Sequence, residues 1–478
     1  MLCNLVALVL TLAQPADLWP PRPDFQSKID YDAWAQERVR GHDDPAENAA
    51  DLYRQIFPRI DNLEAPCPDG LLFGGLRGSF TPPRPWDPAE HPEWEASYQR
   101  TRATLETFRA AVARPFYQFP RQENSDELPW LRGLLPSRLM PHIQPFRGCI
   151  LGLSDAAWRA PAGQVEVAAF LDTCQTRLRA ARQLEREPMI ISMVAALDAR
   201  YTVYEDLRYA LHHNILTAAQ RRQALELLER EDAPLPPFSH YLATECAAPL
   251  DLLQAMTQRG DDGQPEIIHK RYRELAERAM PISPFAERPE LPTPAEIAGR
   301  DPRQTVRRLL EHYLKLAELI DKGYPRATRE VVEMFEELAG RDDAFLRRFM
   351  PSVAQAHVLR TCCLAERNGA RVVLALHLYH DEHGTWPTDL GQLPAERFRD
   401  FLTDPCSGRP LVYRLAESGP LLYTVGLNGR DDAGQPNLAW KAYWTEPPPG
   451  DGVFWPIPAQ PLPEDQPTTQ PATQPSSD

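Results

Sequence analysis

Apolar residues recur at steps of three and four through the centre of the chain. Val167, Leu171, Cys174, Leu178, Ala181 and Leu184 fall on one stripe at 100° per residue, which predicts a helix. Ile190, Val194, Leu197, Tyr201, Tyr204, Leu207 and Leu211 repeat that rhythm, and Pro188 just ahead of them suits a first helical turn. Thr217 and Gln220 have the spacing of a capping box, predicting a third helix that runs to about residue 230. Other stripes predict helices near 93–113 and 45–56. Asp301 with Gln304 opens another, in which Val306, Leu310, Tyr313 and Ala317 face one way. Short helices are expected at 326–339 and 342–349, the first closed by Gly340. Residues 93–350 therefore read as a mainly α body, a helical bundle or helical-hairpin array. The polar segment 17–92 reads as irregular, 115–145 as proline-punctuated and 232–300 as mixed.

The pattern changes near residue 352. A single long helix is expected over 352–383, opened by Ser352 three residues before Gln355 and stopped by Gly384. Beyond it the period falls to two. Leu411, Tyr413 and Leu415 alternate with more polar positions, Leu422 and Thr424 oppose Tyr423 and Val425, and Glu417 to Gly419 supply a turn. A third strand is expected at 438–443. From about 459 onward Pro, Gln, Thr and Ser dominate, a composition that buries too little apolar area to offset ordering, so 459–478 reads as a disordered tail.

The strings LALHLYHDEHGTWPTDLGQL (374–393), DPCSGRPLVYRL (404–415) and LLYTVGLNGRDDAG (421–434) give this region a family likeness. They resemble the globular part of the major pseudopilin of type II secretion systems, as found appended to large exported proteins of bacteria such as planctomycetes. The segment Glu187-Pro-Met-Ile-Ile191 also looks like those proteins. The resemblance covers about a fifth of the chain. It implies an α+β module over 351–458, a long helix plus a small antiparallel sheet. It also implies a calcium loop in which Asn428 and Asn437 stand where the family has acidic ligands, with the Val425 carbonyl as a further contact. Asp431 and Asp432 are the carboxylates available to substitute, and amides alone supply no charge to Ca²⁺. The family's assembly helix lies at the extreme N-terminus, whereas this one is internal and carries Arg360, Glu366 and Arg367. That departure implies a borrowed module rather than a pilus subunit.

Composition narrows the function. A net charge of −15 argues against a general nucleic-acid or anionic-membrane binder. No window approaches eighteen apolar residues, so the mature chain is expected to have no membrane span. Fifty prolines, more than a tenth of the chain, predict many interrupted helices. The apolar run at 5–13 has the length of a secretory h-region, although no Lys or Arg precedes it. Residues 1–16 therefore read as a signal peptide cut after Ala13 or Ala16, and the protein as exported, periplasmic or envelope-associated. The eight cysteines include no CxxC pair and read as core thiols.

Candidate chemistry is sparse. His377, His380 and His383 fan across about 120° of a helix, so neighbours could share a metal, whereas three on one ion would be strained. His212 and His213 suit the end of a helix. Glu205 and Asp206 are spaced as a solvated face, and Ser154 lacks the second glycine of a nucleophile elbow. The expectation is a non-enzymatic exported cell-envelope protein that binds protein or other macromolecular partners. The alternative is an extracytoplasmic hydrolase whose catalytic carboxylates are dispersed over the helical domain. A pocket of clustered carboxylates with raised pKa would favour the second.

Overall fold

Helices form where the apolar stripes run, and where burial is deep enough they also form across prolines. The computed structural model describes residues 19–31, 33, 34, 37, 47–57, 84–117, 142–187, 189–271, 274, 301–320, 353–437 and 450–458. The expected signal peptide, the helices at 326–349, the strand at 438–443 and the proline-rich tail lie outside these residues.

The first half contains α1 (Ala50–Ile56), α2 (Pro92–Val112), α3 (Ile143–Ala157), α4 (Val167–Glu185), α5 (Ile190–His212), α6 (Ala218–Glu231) and α7 (Phe238–Met256). Thr217 caps α6 with both halves of the predicted box in place. A hairpin follows, β1 (Thr257–Arg259) with β2 (Pro265–Ile267), and then α8 (Pro302–Ile320). The C-terminal part holds α9 (Val353–His383), α10 (Ala395–Phe398), β3 (Val412–Ala416), β4 (Gly419–Thr424) and β5 (Gly452–Trp455). The protein is thus mainly α, with a small antiparallel sheet near its C-terminus.

Two helices occupy stretches that proline made look irregular. In α3, Pro145 sits in the first turn, where a missing N–H breaks no intrahelical bond. In α7, Pro249 lies inside the helix, and its cost is offset by burial of Leu242, Cys246, Leu250 and Leu253 along the same element. The predicted long helix is unbroken. It is 31 residues long and ends at Gly384, whose φ of +70° is the left-handed conformation that suits glycine.

The sheet has the order β3-β4-β5, with Val412 opposite Tyr423 and Tyr423 opposite Val453. Its third strand is β5, not far from the tail, where Val453 to Trp455 alternate between half-buried and buried positions. This sheet lies against α9. Gly369 makes the contact possible, because any side chain there would land inside the Phe454 ring.

The core does not divide at residue 350. One apolar cluster runs from Tyr31 through Trp158, Leu178, Leu207, Leu228, Tyr241 and Leu309 to Val373, Leu422 and Phe454. A smaller cluster around Tyr53, Phe57, Phe108 and Phe146 ties α1 to α5 together. Every residue from Ala370 to Leu378 is buried, so this part of α9 is enclosed on all sides, by α5, α6 and the sheet among others. A helix that is buried all round is a spine, not an appendage.

Candidate functional site

The spine carries charges into the interior, and each finds a partner. Asp232, just past α6, accepts from Arg367 Nε at 2.9 Å, Arg371 Nη2 at 3.1 Å and Tyr204 Oη at 2.7 Å, and it also pairs with Arg200. Arg200 in turn grips Glu185 through two bonds of 2.6 and 2.7 Å. This single clamp joins α4, α5, α6 and α9. Burial alone would push the Asp232 carboxyl up, but Arg200, Arg367 and Arg371 outweigh it and hold the group below its ordinary value.

A second clamp centres on Asp206 of α5. Its carboxylate accepts from Arg84 and Trp158 on one oxygen and from Ser154 on the other, while Arg177 lies 2.7 Å away. Burial is again the largest influence, and Arg177, Arg84 and Trp158 overcome it to keep the carboxyl ionised. The sequence reading of Asp206 as part of a solvated face is therefore corrected: α5 is enclosed by α3, α4 and α9, and its polar stripe points inward. The same clamp occupies Ser154 as a structural donor. A third, at Glu231, gathers Arg179, Arg182 and Arg230. Against the effect of burial, hydrogen bonds from Arg179, Arg230 and Gln175 bring Glu231 down to about 2.

Other carboxyls go the opposite way, and two of them are raised furthest. Glu366 of α9 faces Arg208 at 2.7 Å, yet burial exceeds that attraction and raises it to about 7. Arg208 is shared, because it also donates to the carbonyl of Phe454 at 3.1 Å. Glu245 of α7 is likewise raised to about 7 by burial and accepts the N–H of Ile190 at 2.9 Å. They sit on different helices, and each holds a structural contact. Glu187, in the segment singled out at 187–191, binds His142 at 2.9 Å and Ser192 at 2.5 Å.

Of the expected calcium-loop residues, Asn428, Asp431 and Asp432 lie together, and each side chain accepts hydrogen bonds from its neighbours. Asp432 accepts from Gly450 N–H at 2.6 Å and from Asn428 Nδ2 at 2.8 Å, so the Asn428 amide presents its nitrogen there and its oxygen to Arg430 N–H. Asp431 accepts from Tyr423, Arg414 and Ala433. Asp451, which the sequence did not single out, takes Gly434 N–H at 2.7 Å and Asp432 N–H at 3.2 Å. The Asn437 N–H bonds the Asp451 carbonyl at 3.0 Å, and the Val425 N–H reaches Asp404 at 3.3 Å. Among the described residues no group of three or more His, Cys, Asp or Glu is arranged to hold a metal ion. The side-chain oxygens of Asn428, Asp431 and Asp432 thus serve the loop's own hydrogen bonds.

The histidine trio diverges. His377 is buried between Trp386 and Trp455, His380 lies against Trp386, and His383 stacks on Tyr379. His212 contacts Trp455 at 5.5 Å between ring centroids. The six cysteines among the described residues, Cys149, Cys174, Cys246, Cys362, Cys363 and Cys406, are free and buried, as expected of core thiols. No described helix is long and apolar enough to cross a membrane. No family model, curated protein or solved structure matches the chain.

Proposed function

We propose that the protein is a non-enzymatic exported component of the cell envelope, whose pseudopilin-like C-terminal module is a rigid docking unit for a macromolecular partner, most simply a protein. The observation that carries this reading is the enclosure of α9. A pilus subunit must offer this helix to its neighbours, whereas here its Arg367 and Arg371 are spent on Asp232 inside the same chain. The helix end at Gly384, the Asp404 turn and the β3-β4 hairpin support the module's likeness to pseudopilins. The buried carboxylates bind arginines and backbone N–H groups, which is what a scaffold requires of them.

A photoreactive residue at Leu415, exposed on β3, tests the docking role in intact cells, with exposed Glu226 on α6 as control. The expected result is a discrete crosslinked adduct from position 415 alone, in a protein recovered outside the cytoplasm without Met1. Retention of Met1 contradicts the export reading. Substrate turnover by the pure protein that is lost in Glu245→Gln or Glu366→Gln would favour the hydrolase instead.

A further inference from the structure

At one end of the spine the last turn of α9, the loop 384–387, the end of α5, the start of α6 and strand β5 converge. Trp386 has its ring centroid 5.2 Å from that of His377 and 4.4 Å from that of His380. Trp455 stands 4.7 Å from His377 on another side and 5.5 Å from His212. Both tryptophans are only half-buried, as are His380 and His212, so ring surface reaches solvent. His377 is 7% exposed.

Two polar atoms at this seam lack partners. His377 Nε2 is buried with no hydrogen bond, and so is Arg221 Nε, although the Arg221 Nη1 donates to Asp381 at 2.7 Å. Buried polar atoms in folded chains are commonly paired with protein, water or ligand, and these two lie at the same seam as the half-buried indoles. We propose that this seam is a binding site for a neutral saccharide ring, with Trp386 and Trp455 offering stacking surfaces and His377 and Arg221 taking hydroxyl groups.

The chemistry selects that class. Burial, then the charge of Arg221, holds His377 down to about 4, so the ring is neutral at ordinary pH and presents one donor and one acceptor nitrogen. A hydroxyl can satisfy either. Arg221 is already neutralised by Asp381, leaving no net cation for a phosphate or carboxylate, and the chain's net charge of −15 repels polyanions. A pyranose has an apolar C–H face to lay on indole and hydroxyls at its edge, the combination of flat apolar walls and a few convergent polar groups found in small-molecule sites. The proposal does not depend on the docking role.

The test titrates the full chain with soluble oligosaccharides of glucose, N-acetylglucosamine, mannose and xylose, followed by calorimetry and tryptophan fluorescence. Saturable binding to at least one is expected, insensitive to added salt, weakened about tenfold or more by Trp386→Ala and retained by Trp386→Phe. Arg221→Lys, which keeps a cation for Asp381 and removes the planar Nε–H, should weaken binding several-fold with the melting temperature unchanged. That variant decides the matter even if Trp386→Ala does not fold. No saturable binding by folded wild-type chain to any of the four, or undiminished binding by Arg221→Lys, overturns the proposal.

Discussion

Arg371 of the long helix and Asp232 of the helical body lie 3.1 Å apart, and both side chains are buried. The same carboxylate meets Arg200 and Arg367, so one acidic group balances three guanidiniums from two helices. Their geometry makes the body and the C-terminal module one unit.

Removing that carboxylate should be costly. Asp232→Ala leaves Arg367 and Arg371 without their counter-charge, while Arg200 keeps Glu185, and the loss expected for breaking such a network is about 3–5 kcal/mol. Urea unfolding followed by circular dichroism measures it. A change below about 1 kcal/mol would mean that the arginines find water or other partners.

Stability should fall as pH rises toward neutrality, through Glu366 and Glu245. Both are raised in the folded chain from an ordinary 4.5 to about 7, so the folded state holds their protons more tightly than the unfolded state does. The favourable contribution is complete below pH 4.5 and is lost as pH climbs through 7. Melting temperatures across this window should decline less steeply in Glu366→Gln than in wild type. Glu231 has the opposite sign: held at about 2, it supports the fold above pH 4.5 and ceases to do so as pH falls toward 2.

Gly369 presents two opposing effects at one position. Alanine in a helix interior normally gains about 1 kcal/mol over glycine. Here the added methyl would meet the Phe454 ring, and overpacking of a core costs about 1–3 kcal/mol. Gly369→Ala should therefore lower the melting temperature, with partial recovery in the double variant Gly369→Ala, Phe454→Leu. Stabilisation by the single change would contradict the close packing of β5 on α9.

The turn at 425–437, with Asp451 against it, should not need an added ion. Thermal unfolding in chelator and in excess Ca²⁺ is expected to coincide, whereas Asp451→Ala should cost about 1–3 kcal/mol by stranding the N–H groups of Gly434 and Asp432. A marked rise in melting temperature with Ca²⁺ would show that the hydrogen bonds yield to the metal.

The helices α4, α5, α6, α8 and α9 were legible because their apolar residues keep helical spacing without an interior proline. The box at Thr217 gave the start of α6 directly. Pro145 and Pro249 hid α3 and α7, since local propensity cannot register the burial that overrides it. The clamps were hidden for a different reason. Asp206, Glu231, Arg367 and Arg371 sit at the three-and-four spacing of any solvated helix face, and only the enclosure of α5 and α9 turns those faces inward. One signal was present in the sequence: Val203, Tyr204, Leu207 and Ala210 flank Asp206 with apolar neighbours on more than one side of the helix. The seam at His377 was half legible. The sequence marks the three histidines, but their separation by Trp386 and Trp455 depends on a strand that packs back from residue 452.

Hydrogen exchange on the native chain tests the shared spine most directly. Amides of α9 between residues 362 and 378 should exchange only through global unfolding, at the same opening free energy as those of α5, and Asp232→Ala should lower both together. Exchange of α9 and the β3-β4-β5 sheet through a separate, lower-energy opening, with α5 still protected, would show that the C-terminal module is an independent unit and that the account is wrong.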